Sequence, residues 1–298
     1  MSTIVEVKKL VKSYGKVMAV GEVSFSLEAN KIYGLLGRNG AGKTTIMHIL
    51  TAQLFATSGE VKVFGEDPYE NQHVLSQICF IKESQRYPDN FTVADVMEIS
   101  ASFFPNWDRE YALSLIEQFR LPLDRRMKKL SRGMMSSVGI VVGLASRAPL
   151  TIFDEPYLGL DAVARSLFYD SLIEDYAVYP RTIILSTHLI DEVSRILEHV
   201  MLIDDGKMII NEDADALRGR AFSIVGPEAV VKTFTAGKKI LHQESLGGLS
   251  SAVIMEQTEI AGMKQAEALG LEVTAISLQQ LVVYLTNGKS AKKAVTVI

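Results

Sequence analysis

The stretch Gly37-Arg38-Asn39-Gly40-Ala41-Gly42-Lys43-Thr44-Thr45 has the residue types and spacing to hold a phosphate chain, because it satisfies Gly-x-x-x-x-Gly-Lys-Thr. Glycines free of Cβ let successive backbone N–H groups turn inward as a nest for the β- and γ-phosphates of a nucleotide. A helix starting at such a loop adds the positive end of its dipole. Lys43 supplies a point charge, and the Thr44 hydroxyl is a suitable ligand for Mg²⁺. A second acidic element is needed to hold the metal and orient water, and Leu150-Thr151-Ile152-Phe153-Asp154-Glu155 provides it. An apolar strand there ends in two carboxylates, at the edge where open α/β sheets bind ligands. Asp154 is expected to face the metal, and Glu155 to position or deprotonate water.

These residues need elements to carry them, and the hydrophobic pattern supplies strand, loop and helix in the required order. Lys31 to Leu36 reads as a short buried strand running into the glycine loop, and Ile46, Met47, Ile49 and Leu50 follow at helical spacing. Before it, Ile4, Val5 and Val7, then Val23, Phe25 and Leu27, alternate as strands about a Tyr14-Gly15 turn. Residues 61–64 and 78–81 read as further strands, and Phe91 to about Leu144 as helical, with turns at Pro105-Asn106 and Pro122. Apolar runs at 150–153, 182–186 and 200–203, separated by helical segments, suit the middle of a parallel sheet covered on both faces. The expected fold class is α/β with a parallel-sheet core, an antiparallel β subdomain and a helical subdomain.

The character changes after about Asn211. Residues 221–225, 239–242 and 251–255 read as strands and 227–236 and 258–269 as helices, which predicts a separate small α+β domain. The expected organisation is 1–210 for the nucleotide-binding domain, its helical subdomain at about 88–145, and 211–298 for the accessory domain. Leu246-Gly247-Gly248-Leu249-Ser250 lies between two of these strands and predicts a hairpin turn.

Composition narrows the function classes. The 298 residues carry 31 Lys and Arg against 35 Asp and Glu, and that slight acidic excess argues against a nucleic-acid partner. The one cysteine, Cys79, cannot form an intramolecular disulfide. The start Met1-Ser2-Thr3-Ile4-Val5-Glu6 lacks the basic-then-apolar order of a signal peptide, and the longest apolar candidate, Val138 to Phe153, is broken by Arg147 and Pro149. The expectation is a cytoplasmic protein with surface set aside for partners.

With these elements in place the chain resembles the ATP-binding cassette (ABC) ATPases, the motor subunits of ABC transporters, over residues 1 to about 210. That resemblance implies ATP and Mg²⁺ as ligands, held by Gly37, Asn39, Gly40, Ala41, Gly42, Lys43, Thr44 and Thr45, with Lys43, Glu155 and His188 as the catalytic set. It also matches further positions. Tyr14 falls where the family stacks an aromatic on adenine, and Leu130-Ser131-Arg132-Gly133-Met134 falls on the Leu-Ser-Gly-Gly-Gln signature. Leu158-Gly159-Leu160-Asp161 corresponds to the D-loop, and His188 to the switch histidine that reaches the γ-phosphate. Glu83 sits where most members have a glutamine that meets the metal, with Gln85 as the alternative for that place. In the family, Ser131, Gly133 and Asp161 would act across a head-to-tail dimer interface that sandwiches two ATP molecules. The implied partners are a membrane-spanning permease subunit and a second ABC ATPase subunit, which would place the chain on the inner face of the cell membrane.

Three departures stand out: Arg132 replaces the first signature glycine, Met134 the signature glutamine, and Glu83 the metal-loop glutamine. The Ser-Arg-Gly-Met signature and the cluster Phe103-Phe104-Pro105-Asn106-Trp107-Asp108 resemble a subgroup from Gram-positive exporters, some in antibiotic- or envelope-stress-responsive operons. The cluster itself is expected either to anchor the helical subdomain's core or to face a membrane partner. The competing readings are a cassette ATPase that moves no solute and a regulatory cassette that binds ATP while its partner hydrolyses it. Translation-type members carry two cassettes and chromosome-type members long heptad repeats, and neither is present in this sequence.

Overall fold

A computed structural model describes residues 2–83, 85–218, 220–256 and 259–287. It divides into two compact units, Met1–His188 with Ile196–Met208, and Leu189–Arg195 with Ile209–Ile298.

The first unit begins with β1 (Thr3–Tyr14), β2 (Val17–Glu28), β3 (Ile32–Leu36), α1 (Lys43–Leu50), β4 (Ser58–Val63), α2 (Gln72–Leu75) and β5 (Ile78–Ile81). Three helices follow, α3 (Val93–Phe103), α4 (Arg109–Gln118) and α5 (Arg132–Ala145), then β6 (Leu150–Asp154), α6 (Ala162–Val178) and β7 (Thr182–Thr187). After the short α7 (Ile190–Val193), which belongs to the second unit, β8 (His199–Asp204) and β9 (Lys207–Asp213) complete the core sheet, and a boundary between units falls within β9.

The six-stranded sheet has the order β5-β6-β7-β3-β8-β9, and the pairs β5–β6, β6–β7, β7–β3 and β3–β8 are all parallel. Every residue of β3, β6 and β7 is buried, which is why these strands read as unbroken apolar runs rather than alternations. The outer strands β2-β1-β4 form a separate antiparallel sheet, and there the alternation is clear. Val5, Val7, Leu10, Val23, Phe25 and Leu27 point inward and join Ile46, Met47 and Leu50 of α1 in one core. The expected α/β class, with its parallel core, antiparallel subsheet and helical segment, is therefore the architecture observed.

The helical segment is set by its caps. Thr92 and Asp95 make a capping box at the start of α3, Asp108 caps α4 and Ser131 caps α5. Within the Phe103–Asp108 cluster, Phe103 remains two-thirds exposed, while Trp107 lines a recess of about 260 Å³ with Met97, Ala112 and Ile116. A partly buried ionic network ties this segment to α6. Arg147 bridges Asp108 at 2.6 Å and Asp175 at 3.0 Å, Arg181 meets the other Asp175 oxygen at 2.6 Å, and the Arg147 guanidinium lies 3.4 Å from the Tyr179 ring centre.

The second unit continues with α8 (Ala214–Leu217), β10 (Ala221–Pro227), α9 (Glu228–Thr235), β11 (Lys239–Leu246), β12 (Leu249–Met255), α10 (Glu259–Ala268), β13 (Glu272–Ala275) and α11 (Leu278–Asn287). The sheet order is β11-β12-β10-β13 with every pair antiparallel. From β10 to β13 the chain reads β-α-β-β-α-β, the split βαβ arrangement of ferredoxin-like folds. Its core is Phe222, Ile224, Ala252 and Ile254 of the sheet against Val231 and Phe234 of α9 and Ala266 of α10. The strands and helices expected from 221 to 269 are present, and Gly247-Gly248 makes the β11–β12 hairpin turn with both φ angles positive. Residue 258 of the expected 258–269 helix, and 219, 257 and 288–298 of the expected accessory domain, lie outside the described residues. β13 and α11 were not anticipated.

Candidate functional site

The site is built where β3, β6 and β7 end at one edge of the parallel sheet. β3 runs into the glycine loop, which wraps the N-terminus of α1. Gly42 caps that helix at φ 109°, and a Cβ there would lie 2.5 Å from the Ala19 carbonyl oxygen. Gly37, at φ 150°, approaches the Ile203 carbonyl so closely that a Cβ would lie 2.2 Å from its oxygen. No side chain fits at either place, so the loop's path depends on these two glycines.

A cleft of about 440 Å³ opens over this loop, lined by residues 39–45, Ala19, Glu83, Asp154, Glu155, Leu158 and His188. The sequence-selected residues Asn39, Gly40, Ala41, Gly42, Lys43, Thr44, Thr45, Glu83, Asp154, Glu155 and His188 thus meet in one place, from three strand ends and two loops. Lys43 is buried and its ammonium donates to the Gly37 carbonyl at 2.7 Å and the Arg38 carbonyl at 3.3 Å, with Glu155 Oε1 3.8 Å away. The Thr44 hydroxyl donates to Asp154 Oδ2 at 2.8 Å. Asp154 Oδ1 is buried and has no hydrogen-bond partner.

Glu155 is a buried carboxylate in a left-handed backbone conformation, φ 49°. Its N–H donates to the Ser186 carbonyl at 3.0 Å, one step beyond the Asp154–Ser186 pairing of β6 and β7, and the chain then turns out of the sheet. A non-glycine residue at positive φ is uncommon and concentrates at functional sites. The His188 ring comes from the end of β7, with Nδ1 2.9 Å from Glu155 Oε2. Burial pushes the Glu155 carboxyl above the ordinary range, opposed by the neighbouring charges of His188 and Lys43. Burial likewise pulls the Lys43 ammonium down, opposed by Glu155 and Asp154.

The orphaned Asp154 oxygen beside the Thr44 hydroxyl fits a small divalent cation, which takes one or two protein oxygens and completes its shell with phosphate and water. Glu83 lines the same cleft but its carboxylate faces Arg132, Oε1 to Nη2 at 3.5 Å.

Besides Gly37, at the base of the loop, and Gln85, the alternative to Glu83, four sequence-selected residues do not line the cleft. Tyr14 is half exposed at the end of β1, with the Lys12 ammonium 5.2 Å from its ring centre. The Ser131 hydroxyl accepts the Met134 N–H at 3.2 Å, capping α5. Gly133 packs so tightly on the loop after β6 that a Cβ would lie 2.5 Å from the Gly159 oxygen. Asp161 caps α6, accepting from the Ala164 N–H at 2.8 Å. Ser131, Gly133 and Asp161 therefore belong to one neighbouring patch, joined by the Gly133–Gly159 contact.

The sequence reading missed Tyr157. This residue is buried, its hydroxyl accepts the His188 backbone N–H at 3.1 Å, lies 2.8 Å from His188 Nδ1, and hydrogen-bonds Glu155 Oε2. Its only signal in the sequence is its place two residues after Glu155, because the contact with His188 spans two strand ends.

Comparison with known proteins gives the family. The family model described as ABC transporter matches residues 20–158. The chain is 32% identical to the bacitracin transport ATP-binding protein BcrA of Bacillus licheniformis, over 74% of this chain and 73% of that protein. It is 27% identical to the uncharacterized ABC transporter ATP-binding protein YcbN of Bacillus subtilis across 97% of this chain and 99% of that one. Among solved structures, one titled as the ATP binding subunit of an ABC transporter superposes with a TM-score of 0.65 at 26% identity, covering 72% of this chain and 91% of its own.

Proposed function

This chain belongs to the ABC transporter family as an ATP-binding, ATP-hydrolysing subunit, and from that premise we propose how its residues divide the work. The backbone N–H groups of residues 39–45 and the Lys43 ammonium hold the β- and γ-phosphates of ATP, with Lys43 exchanging its two loop carbonyls for phosphate oxygens. Thr44 and Asp154 hold Mg²⁺, with Glu83 near by; the ion, when bound, neutralises charge on the phosphates. Glu155 accepts a proton from the attacking water, and its raised proton affinity suits that task at neutral pH. His188, engaged by Glu155 through Nδ1, offers its remaining ring nitrogen to the terminal phosphate. Tyr14 stacks on the adenine.

The placement of Ser131 and Gly133 supports a second subunit. The N-terminus of α5 carries both, yet neither lines the cleft of its own chain. A helix N-terminus that is to meet phosphate from that position must meet the nucleotide of another ATPase subunit, with Asp161 at the same interface. ATP bound between two subunits favours the closed pair, and hydrolysis removes that preference. We assign residues 1–210 to this motor and 211–298 to an accessory α+β domain. The opening and closing is passed to a membrane-spanning permease, with the chain on the inner face of the membrane.

One observation carries the reading: a single cleft gathers the glycine loop, Lys43, Thr44, Asp154, Glu155 and His188. ATP hydrolysis by wild type and Lys43→Ala, each with Mg²⁺ and with excess chelator, tests it. Turnover is expected only for wild type with Mg²⁺. Equal turnover by Lys43→Ala, or turnover indifferent to chelation, contradicts it.

A further inference from the structure

Tyr157 is buried among polar groups that the reaction needs, and the assignment so far gives it no task. Its hydroxyl is anchored from behind by the His188 backbone N–H at 3.1 Å. In front it meets two side chains at once, Glu155 Oε2 and His188 Nδ1, which are themselves 2.9 Å apart. The tyrosine ring also packs edge-on against the imidazole, centres 5.6 Å apart. Three atoms from two strand ends thus form a closed triangle.

Counting protons fixes its arrangement. A phenol has one proton to donate, an ionised carboxylate none, and an imidazole one on each ring nitrogen that carries hydrogen; a ring that meets carboxylate through Nδ1 and phosphate through Nε2 donates from both. If Nδ1 carried a lone pair, it would face the lone pairs of Oε2 at 2.9 Å, and the single phenol proton could cover only one of them. With the proton on Nδ1, the ring N–H and the phenol O–H both converge on Oε2, and the third side of the triangle is the approach of these two donors to each other as they share that oxygen. Oε2 is then fully engaged. Oε1 is the oxygen left without a hydrogen-bond partner, 3.8 Å from the Lys43 ammonium in the nucleotide cleft.

We propose that Tyr157 is a positioning residue that holds Glu155 and His188 in one rigid unit, tying up Oε2 so that Oε1 is the oxygen presented to the attacking water. This rests on the roles given above to Glu155 and His188. Tyr157 touches neither nucleotide nor water in this scheme. It removes rotational freedom from the two side chains that do, and orientation of this kind strongly affects turnover.

The test compares Tyr157→Phe, which keeps the ring and removes the hydroxyl, with wild type, His188→Gln and the double variant, all as the full chain. Steady-state hydrolysis should show kcat lowered about tenfold in Tyr157→Phe, with ATP affinity within about twofold and the melting temperature nearly unchanged. In the His188→Gln background the same substitution should cost far less, because its partner is already gone. An independent readout needs no turnover. The nucleotide-free wild type should show a downfield ring N–H proton resonance, assigned to His188 Nδ1 by its loss in His188→Gln, and Tyr157→Phe should shift it. Unchanged kcat in Tyr157→Phe, equal cost in both backgrounds, or no Nδ1 proton in wild type overturns the proposal. A failure of the site reading itself is distinguishable: Glu155→Gln would then hydrolyse ATP at the wild-type rate, and the resonance would still report on the triangle.

Discussion

Arg132 and Glu83 pair with one another, Nη2 to Oε1 at 3.5 Å, so two of the three residues at which this chain departs from the family pattern are partners in its structure. The pair joins the loop after β5 to the N-terminus of α5. Half or more of each side chain is exposed, so the contact adds at most about 0.5 kcal/mol to folding. Its consequence is for charge near the cleft, where Arg132 faces the carboxylate that stands in place of an amide. Removing Glu83 leaves Arg132 unpaired, and removing Arg132 leaves an extra carboxylate on the cleft wall. Glu83→Gln and Arg132→Gly should each lower ATP turnover severalfold, whereas the double substitution should cost less than the product of the two. A steady-state double-mutant cycle checks this, and melting temperatures should stay within about 2 °C.

Asp175 is the carboxylate shared by the buried Arg181 and the partly buried Arg147. Arg147 and Arg181 each bind one of its oxygens, and its own side chain is almost fully buried. Asp175→Ala leaves the buried Arg181 without its carboxylate, while Arg147 keeps Asp108, so it should destabilise the chain by about 3 kcal/mol. Urea denaturation of the nucleotide-free protein measures the loss.

Gly42 occupies a position that combines positive φ with a close carbonyl approach. In Gly42→Ala the added methyl must displace the Ala19 segment or bend the loop, which turns the N–H groups of residues 39–45 away from the phosphates. ATP affinity should drop at least about 100-fold, since several anion contacts are lost together. Equilibrium titration with ATP is sufficient to read it.

Cys79 gives the chain an alkaline weakness. Burial pushes its thiol up to about 12, so the unfolded chain releases this proton well before the folded one. A raised acid pKa contributes full stability below the ordinary thiol range, near ~8.5, and loses it as pH rises toward the folded value, by about 1.4 kcal/mol per unit. Between pH 8.5 and 10 the wild type should lose about 1.5 kcal/mol more than Cys79→Ala, although the variant starts lower because of the cavity it creates. Denaturation at the two pH values gives the difference. Folded protein at pH 8 should also resist alkylation at Cys79.

What could be read from the sequence follows the range of the interactions involved. The glycine loop and the Asp154-Glu155 strand end were legible because neighbouring residues fix their conformation and because three buried strands announce themselves as apolar runs. The pairing of Glu83 with Arg132, the role of Arg147 and the contacts of Tyr157 were not, since each joins segments far apart in the chain. Arg147 looked like an interruption of an apolar run and is instead the bridge between Asp108 and Asp175. β13 was hidden by being short and largely exposed. α11 did carry a local signal: Ser277 and Gln280 form a reciprocal capping pair, Gln280 N–H to Ser277 Oγ at 3.2 Å and Ser277 N–H to Gln280 Oε1 at 2.9 Å. The split βαβ order of the second unit depends wholly on which strands pair, and no single segment encodes it.

Substitution of Glu155 is the most direct test of the proposed motor, because its carboxylate is the proposed proton acceptor and the amide introduced by Glu155→Gln keeps the shape without that capacity. ATP turnover and solution mass should be measured for wild type and Glu155→Gln with Mg-ATP, alone and with the permease. Turnover should fall by at least about 100-fold while ATP stays bound and the variant accumulates as an ATP-dependent dimer. Wild-type turnover by Glu155→Gln in the assembled transporter would contradict the role given to this carboxylate.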